Sequence, residues 1–322
     1  MDSVIPNPNP PYTRIGTSDL TVYPLNLGGN VFGWTADEAE SFAVLDAYAA
    51  AGGNFLDTAD GYSHWVPGNS GGESEEIIGR WFASRGNRTG IVLATKIGRF
   101  PGLSGLRPET IRRAVDNSLS RLGTDWIDLL YTHFDDESVP VSDIVTTLDE
   151  LVRAGKVRHI AASNISAERL AASLEFSERE GLARYVAIQP HYNLLSRDSY
   201  EGPLAELAAR HGLAALPYYA LASGFLTGKY RPGTAVDSAR AERAADYLKD
   251  ERALRVLDAL DKVAAETGAE HATVALAWLR QQPTVAAPIA SARTPQQLPA
   301  LLASTTLELT PEQLGLLTTA SA

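Results

Sequence analysis

Residues 108–133, PETIRRAVDNSLSRLGTDWIDLLYTH, decide the fold. Pro108 stands at a first-turn position, where its fixed φ and missing N–H cost nothing, and Gly123 ends the helix after Leu122. The apolar run Ile127–Thr132 then reads as a strand, with His133 at its end. Short β-branched or apolar runs alternate with helical lengths on both sides of this stretch, the signature of βα units and a parallel sheet. The other strands are predicted at 25–27, 54–57, 91–95, 157–162, 186–189, 214–217 and 284–289. The other helices are predicted at 37–51, 73–84, 142–154, 166–179, Pro203–His211, Glu251–Thr267, 273–281 and 295–303. Ser166 is the cap of its helix, bonding toward Arg169 and Leu170. Residues 12–24 read as a hairpin turning at Gly16-Thr17-Ser18-Asp19.

Eight strands, with the late helix pair counted as one unit, make a closed (β/α)8 TIM barrel the economical α/β topology, with an N-terminal β-hairpin and extra helices. An open doubly wound sheet carries a glycine-rich phosphate loop after its first strand. Here that turn is Gly28-Gly29-Asn30-Val31-Phe32-Gly33, which lacks the GxGxxG spacing. Two domains of about 150 residues would fit the length, but a barrel spends about 250 on one domain. One barrel domain is therefore expected over 1–322, with a loose Pro- and Asn-rich leader at 1–11 and a long loop after strand seven at 221–250. Loops that long in a compact domain are usually functional.

Composition narrows the class. The chain is 44% apolar and 21% charged, which excludes disorder and a collagen-like chain. No apolar run approaches the roughly 18–20 residues a membrane span needs, and the N-terminus has neither the basic flank nor the apolar core of a signal peptide. The net charge of −11 disfavours nucleic acid and acidic membranes as partners. Zero cysteines exclude disulfides and a thiol nucleophile and suit a cytoplasmic protein.

In a barrel, chemistry gathers where the strands end. Those ends carry Asp57, Lys96, His133, Ser163-Asn164 and Gln189, with Tyr218 after strand seven and Ser291 and Arg293 after strand eight. Asp57, Lys96, His133 and Ser163 follow one another at about one βα repeat, so they should converge on one rim. A carboxylate, an amine and an imidazole meeting there form a catalytic set. Taken singly, each has a structural reading: Lys96 as a surface ion pair, His133 as a core histidine, Asp57 as a cap, Tyr62 as a packing ring, Arg293 as a solvated arginine.

At these residues the chain resembles the aldo-keto reductases, over nearly its whole length. Asp57-Thr58-Ala59-Asp60-Gly61-Tyr62 is similar to that family's D-T-A-x-x-Y segment, Thr95-Lys96 to its T-K strand end, and Asp128-Leu129-Leu130-Tyr131-Thr132-His133 to its D-L-x-x-x-H strand. Gly155-Lys156-Val157-Arg158 with Ser163-Asn164, then Gln189, Pro217-Tyr218, Leu226-Thr227-Gly228-Lys229-Tyr230 and Ser291-Ala292-Arg293-Thr294 with Gln297-Leu298 complete the ordered set. The resemblance implies NADPH-dependent reduction of a small-molecule aldehyde or ketone. It implies Tyr62 as general acid, its pKa lowered by Lys96, with Asp57 keeping the ammonium charged and His133 orienting the carbonyl. For the cofactor it implies Gly29, Asn30, Ser163, Asn164, Gln189, Tyr218, Leu221, Ser223 and Lys229, with Ser291, Arg293 and Gln297 gripping the 2′-phosphate.

The chain departs from the family in places. Tyr219-Ala220 replaces a usual serine-proline, Ala161-Ala162 replaces a glycine-hydrophobic pair, and Asn30 stands where relatives carry Met or Trp. Residues 64–72 look like an inserted flap, and Trp34, Trp65, Phe134 and Tyr219 are candidates for an aromatic substrate wall. Two rival functions are a cofactor-bound regulatory subunit, like the β subunits of potassium channels, and a metal-dependent barrel hydrolase. None of the six histidines forms an H-x-H or H-E-x-x-H pattern, so no metal is expected.

Overall fold

Strand alternation sorts the apolar side chains into two cores. In the computed structural model, which describes residues 12–234, 236 and 241–322, eight parallel strands form one sheet. They are β1 (Asn26–Gly28), β2 (Phe55–Asp57), β3 (Val92–Ile97), β4 (Ile127–Thr132), β5 (Val157–Ser163), β6 (Tyr185–Gln189), β7 (Ala214–Ala215) and β8 (Ile289–Ala290). Neighbours follow chain order from β1 to β7, and β8 pairs with β1. Between β7 and the segment preceding β8 the ring closes: Ala215 N donates to Thr284 O, Ala286 N to Ala215 O and Ile289 N to Pro217 O. The fold is the (β/α)8 barrel that the alternation of runs predicts.

Along β4, Leu129 and Tyr131 point into the barrel, while Leu130 joins the core between sheet and helices. Side chains alternate with period two along any strand, so one apolar run feeds both cores. Small Ala94, Ala161 and Ala187 leave room inside for Phe55, Leu129 and Tyr131. Each large apolar side chain so buried contributes roughly 1.5–3 kcal/mol. The hairpin pairs Thr13–Arg14 with Thr21–Val22. Its Ile15, Leu20 and Val22 belong to the interior cluster, and its Gly16 lies against Val186 O and Ala214 N, at the starts of β6 and β7. That end of the barrel is plugged, and the end where the strands finish is left for the site.

The helices surrounding the sheet are α1 (Glu38–Ala50), α2 (Glu73–Arg85), α3 (Pro108–Leu122), α4 (Val141–Arg153), α5 (Ala167–Glu180) and α6 (Pro203–His211). They are followed by α7 (Ala241–Tyr247), α8 (Glu251–Thr267), α9 (His271–Arg280), α10 (Leu298–Ala303) and α11 (Pro311–Ala320). Asp37 closes a capping box with Glu40 at the start of α1, and Ser166 accepts from Arg169 N at the start of α5.

Three sequence expectations need correction. The eighth strand is not 284–289 but the short Ile289–Ala290: Thr284 takes a left-handed φ of +68° and Pro288 supplies no N–H, and earlier in the segment only Val285 bridges to Ala215. The helix expected at 295–303 opens as a separate 3-10 turn, Pro295–Gln297, and Pro299 sits in the first turn of α10. The loop expected at 221–250 holds a 3-10 stretch, Ala222–Thr227, and α7. Its residues 235 and 237–240, like the leader 1–11, lie outside the described residues. Sequence reading also missed the hairpin of Arg99–Phe100 with Leu103–Ser104, and α11 with its Thr310–Gln313 capping box.

Candidate active site

Parallel register aligns the strand ends: Gly28 lies opposite Asp57, Lys96 opposite Tyr131 and Gln189 opposite Ser163. Lys96, 1% exposed, spends all three ammonium protons. They go to Asp57 Oδ2 at 2.6 Å, Thr58 O at 2.8 Å and the Tyr62 hydroxyl oxygen at 2.8 Å. Asp57 Oδ1 accepts from Gln189 Nε2 at 2.9 Å. Past β2 the chain keeps bonding to β3, with Thr58 N to Ala94 O and Asp60 N to Lys96 O, and this carries Tyr62 over the lysine. Gly61 is required there: a Cβ would come within 2.8 Å of Arg99 O.

The electrostatics correct one expectation. Lys96 does not bring the Tyr62 phenol below its usual range; burial first, and then the Asp57 carboxylate, push it well above. Burial likewise pulls the Lys96 ammonium down, with Asp57 opposing that shift. The His133 imidazole is held well below its ordinary value by burial and by the positive charges of Lys96 and Arg99, so it is neutral near pH 7.

Beneath this set lies a second buried acid. Asp60 accepts from Gly98 N through Oδ2, and its Oδ1 has no partner. Burial and the neighbouring Glu75, itself tied to Arg121 and Thr95, push Asp60 up to about 7. An acid that holds its proton more tightly when folded lowers stability as pH rises from its unfolded value, 3.8, to about 7. Asp60→Asn, which keeps an acceptor for Gly98, should therefore be more stable than the parent by a few kcal/mol near pH 8 and about equal near pH 4. Urea melts at both values check this; a pH-independent difference contradicts it.

The strand ends open into one cleft of about 870 Å³. Asp57, Tyr62 and His133 line it, with Asn30, Ser163, Asn164, Gln189, Tyr218, Leu221, Ser223, Lys229, Ser291, Arg293 and Gln297. Trp34, Trp65, Phe134 and Tyr219 line it too. Two expected residues do not: Lys96 lies beneath Tyr62, and Gly29 is turned into the wall, its N–H bonded to Asp57 O. Tyr62 and His133 meet edge to face, ring centres 6.1 Å apart, and Trp65 packs on both Tyr62 and Trp34. Ser163 Oγ donates to Gln189 O, Asn164 Nδ2 to His133 O, and the Tyr218 hydroxyl to Asn164 Oδ1 at 2.7 Å. At the far end Ser291 Oγ donates to Asn30 Oδ1, and Gln297 Oε1 accepts from Arg293 N.

Sequence reading missed His64, Arg99, Glu242, Arg243 and Glu270, which also line the cleft. Arg99 had a signal, since it falls just past the end of β3. Arg243 had none, because it belongs to α7 inside the stretch read as loop. Among the described residues, no group of three His, Asp or Glu is placed to hold a metal, and no helix is long and apolar enough to cross a membrane.

Comparison with known proteins bears on this arrangement. The model of the aldo/keto reductase family matches residues 24–322. The chain is 34% identical to Protein tas of Escherichia coli, over 94% of this chain and 95% of that one. It is 34% identical to norsolorinic acid reductase stcV of Emericella nidulans, over 96% and 82%. It is also 31% identical to a probable voltage-gated potassium channel subunit beta of rice, Oryza sativa, over 89% and 88%. A match of this extent, on a barrel whose strand ends carry this constellation, means that the chain belongs to the aldo/keto reductase family.

Proposed function

We propose that the protein reduces an aldehyde or ketone to an alcohol with NADPH, Tyr62 acting as the proton donor. The observation that carries this reading is the Lys96 ammonium bridging Asp57 and Tyr62 at 2.6 and 2.8 Å beneath the cleft. A hydroxyl whose oxygen already accepts from a cation is polarised to give up its own proton. Burial keeps Tyr62 protonated until a carbonyl oxygen gains charge beside it, and Lys96 then stabilises the phenolate left behind. Neutral His133 completes the oxyanion position. Its buried Nδ1 has no partner, which suits the tautomer with its proton on Nε2, facing the substrate.

The cleft fits a dinucleotide. Its 870 Å³ falls in the upper part of the range for ligand pockets. Gly28 keeps its floor clear, since a Cβ there would press within 2.7 Å of Ser291 Oγ. The donor set suits each part of NADPH: the amides of Asn164 and Gln189 with Ser163 for a carboxamide, the Tyr218 ring for the nicotinamide face, Lys229 for the pyrophosphate. Leu221, Ser223 and Asn30 would shape the middle of the site. Bound there, NADPH supplies the hydride. Arg293, with Ser291 and Gln297 beside the 3-10 turn at 295–297, would hold the 2′-phosphate by charge-assisted bonds.

Arg293→Ala should weaken NADPH binding about 10- to 100-fold, the value of bonds to a charged group, and NADH binding about two-fold or less. Fluorescence titration of both cofactors tests this, and equal loss for both removes the phosphate assignment. The function as a whole is tested by following NADPH oxidation against aldehydes, ketones, quinones and keto-sugars. A second reading, a cofactor-bound regulatory subunit, is favoured by the likeness to the rice channel subunit. It requires NADPH to bind while a reactive aldehyde gives little beyond a single turnover.

A further inference from the structure

We infer that the carbonyl substrate is an aromatic compound carrying an anionic group, and that Arg99 is the residue that recognises the anion. This rests on the reductase reading above and names its substrate class. Arg99 follows Lys96 by three residues, so the same strand end that buries an ammonium beneath Tyr62 delivers a guanidinium to the cleft. That guanidinium lies 4.5 Å from the centre of the Phe134 ring, and Phe134 lies 5.3 Å from the His133 ring at a shallow tilt. The cation therefore stands one ring away from the imidazole, near enough for its charge to reach His133.

Its surroundings leave it available. The nearby carboxylates are engaged elsewhere: Asp57 with Lys96, Asp60 with Gly98 N, Asp135 with Arg169, and Asp136 with Leu106 N and Ser138. The residue is held at its backbone by pairing with Ser104 and by the close approach to Gly61. On the opposite wall Arg243 stacks over Tyr219 at 4.7 Å and donates to its hydroxyl at 3.1 Å, next to the cleft-lining Glu242. The second guanidinium is thus tied to a phenol hydroxyl, whereas Arg99 makes no side-chain hydrogen bond or ion pair among the described residues. Aromatic rings supply the flat apolar surface an arene fills, and a planar guanidinium matches a carboxylate in two parallel bonds. In a chain of net charge −11, a positive spot at the substrate mouth is a local reversal of the overall field.

The test compares 4-carboxybenzaldehyde with its uncharged methyl ester, methyl 4-formylbenzoate, using full-length protein and NADPH. The parent should prefer the carboxylate by about ten-fold in kcat/KM, the factor equivalent to one charge-assisted bond, and added salt should raise KM for the carboxylate alone. Arg99→Met, which keeps an apolar stem on Phe134, should lower the carboxylate-over-ester preference in kcat/KM about ten-fold, mainly through KM for the carboxylate. Tryptophan fluorescence, reporting Trp34 and Trp65, should show 4-(hydroxymethyl)benzoate binding the parent more tightly than the variant. Equal use of both aldehydes, or a preference for the ester, overturns the inference while leaving the reductase reading intact. If neither is reduced, nor any other carbonyl, the reductase reading falls and takes this inference with it.

Discussion

Tyr62→Phe should lower kcat for carbonyl reduction by about two to four orders of magnitude, the span of a lost general acid, with NADPH affinity unchanged to within about two-fold. The change deletes one oxygen. The ring keeps its edge contacts with Trp65 and His133. Lys96 keeps two of its three acceptors, Asp57 Oδ2 and Thr58 O. Stability should therefore fall by about 1–3 kcal/mol, the cost of leaving one buried donor without its partner. The proposed cofactor contacts come from other strand ends and lose nothing. Steady-state kinetics with a reactive aldehyde, paired with an NADPH titration and a urea melt, separates these effects. A variant turning over at the parent rate would show that another group delivers the proton. One with normal turnover per bound cofactor but weak NADPH binding would move Tyr62 from proton transfer to cofactor retention.

The barrel was readable because each βα unit declares itself locally: Pro108 and Gly123 bracket a helix, and Ile127–Thr132 alternates between two cores. Where the pattern failed, a local feature was overridden or hidden. Thr284, at a positive φ, and Pro288, without an N–H, interrupt an apolar run, so it looked like a strand and formed little of one. The convergence of Asp57, Lys96 and His133 followed from topology, since strand ends in a barrel must meet. What topology does not carry is depth. Lys96 alone could as well have been a surface ion pair, and only the burial of Tyr62 itself, beside Asp57, fixes the direction in which its phenol shifts. Arg243 and Glu242 were hidden for another reason: a long excursion bends back over the cleft, and no spacing rule reports where its side chains arrive.

Depth also sets the second large effect. Lys96→Met should destabilise the protein by about 3–5 kcal/mol near pH 7, the cost of removing one partner from a buried ion pair, and should lower kcat by at least about two orders of magnitude because Tyr62 loses its polarising cation. The penalty comes from Asp57, 1% exposed, which would keep the Gln189 amide and only a long bond from the Tyr62 hydroxyl as partners. Asp57→Asn combined with Lys96→Met removes both charges at nearly constant volume, and it should recover most of the stability at pH 7 but none of the activity. That split distinguishes the two roles of the lysine. If the single variant is as stable as the parent at pH 7, water reaches Asp57 and the ammonium is not the buried bridge on which Tyr62 depends. If the double variant regains turnover, the proton path does not pass beside Lys96 at all.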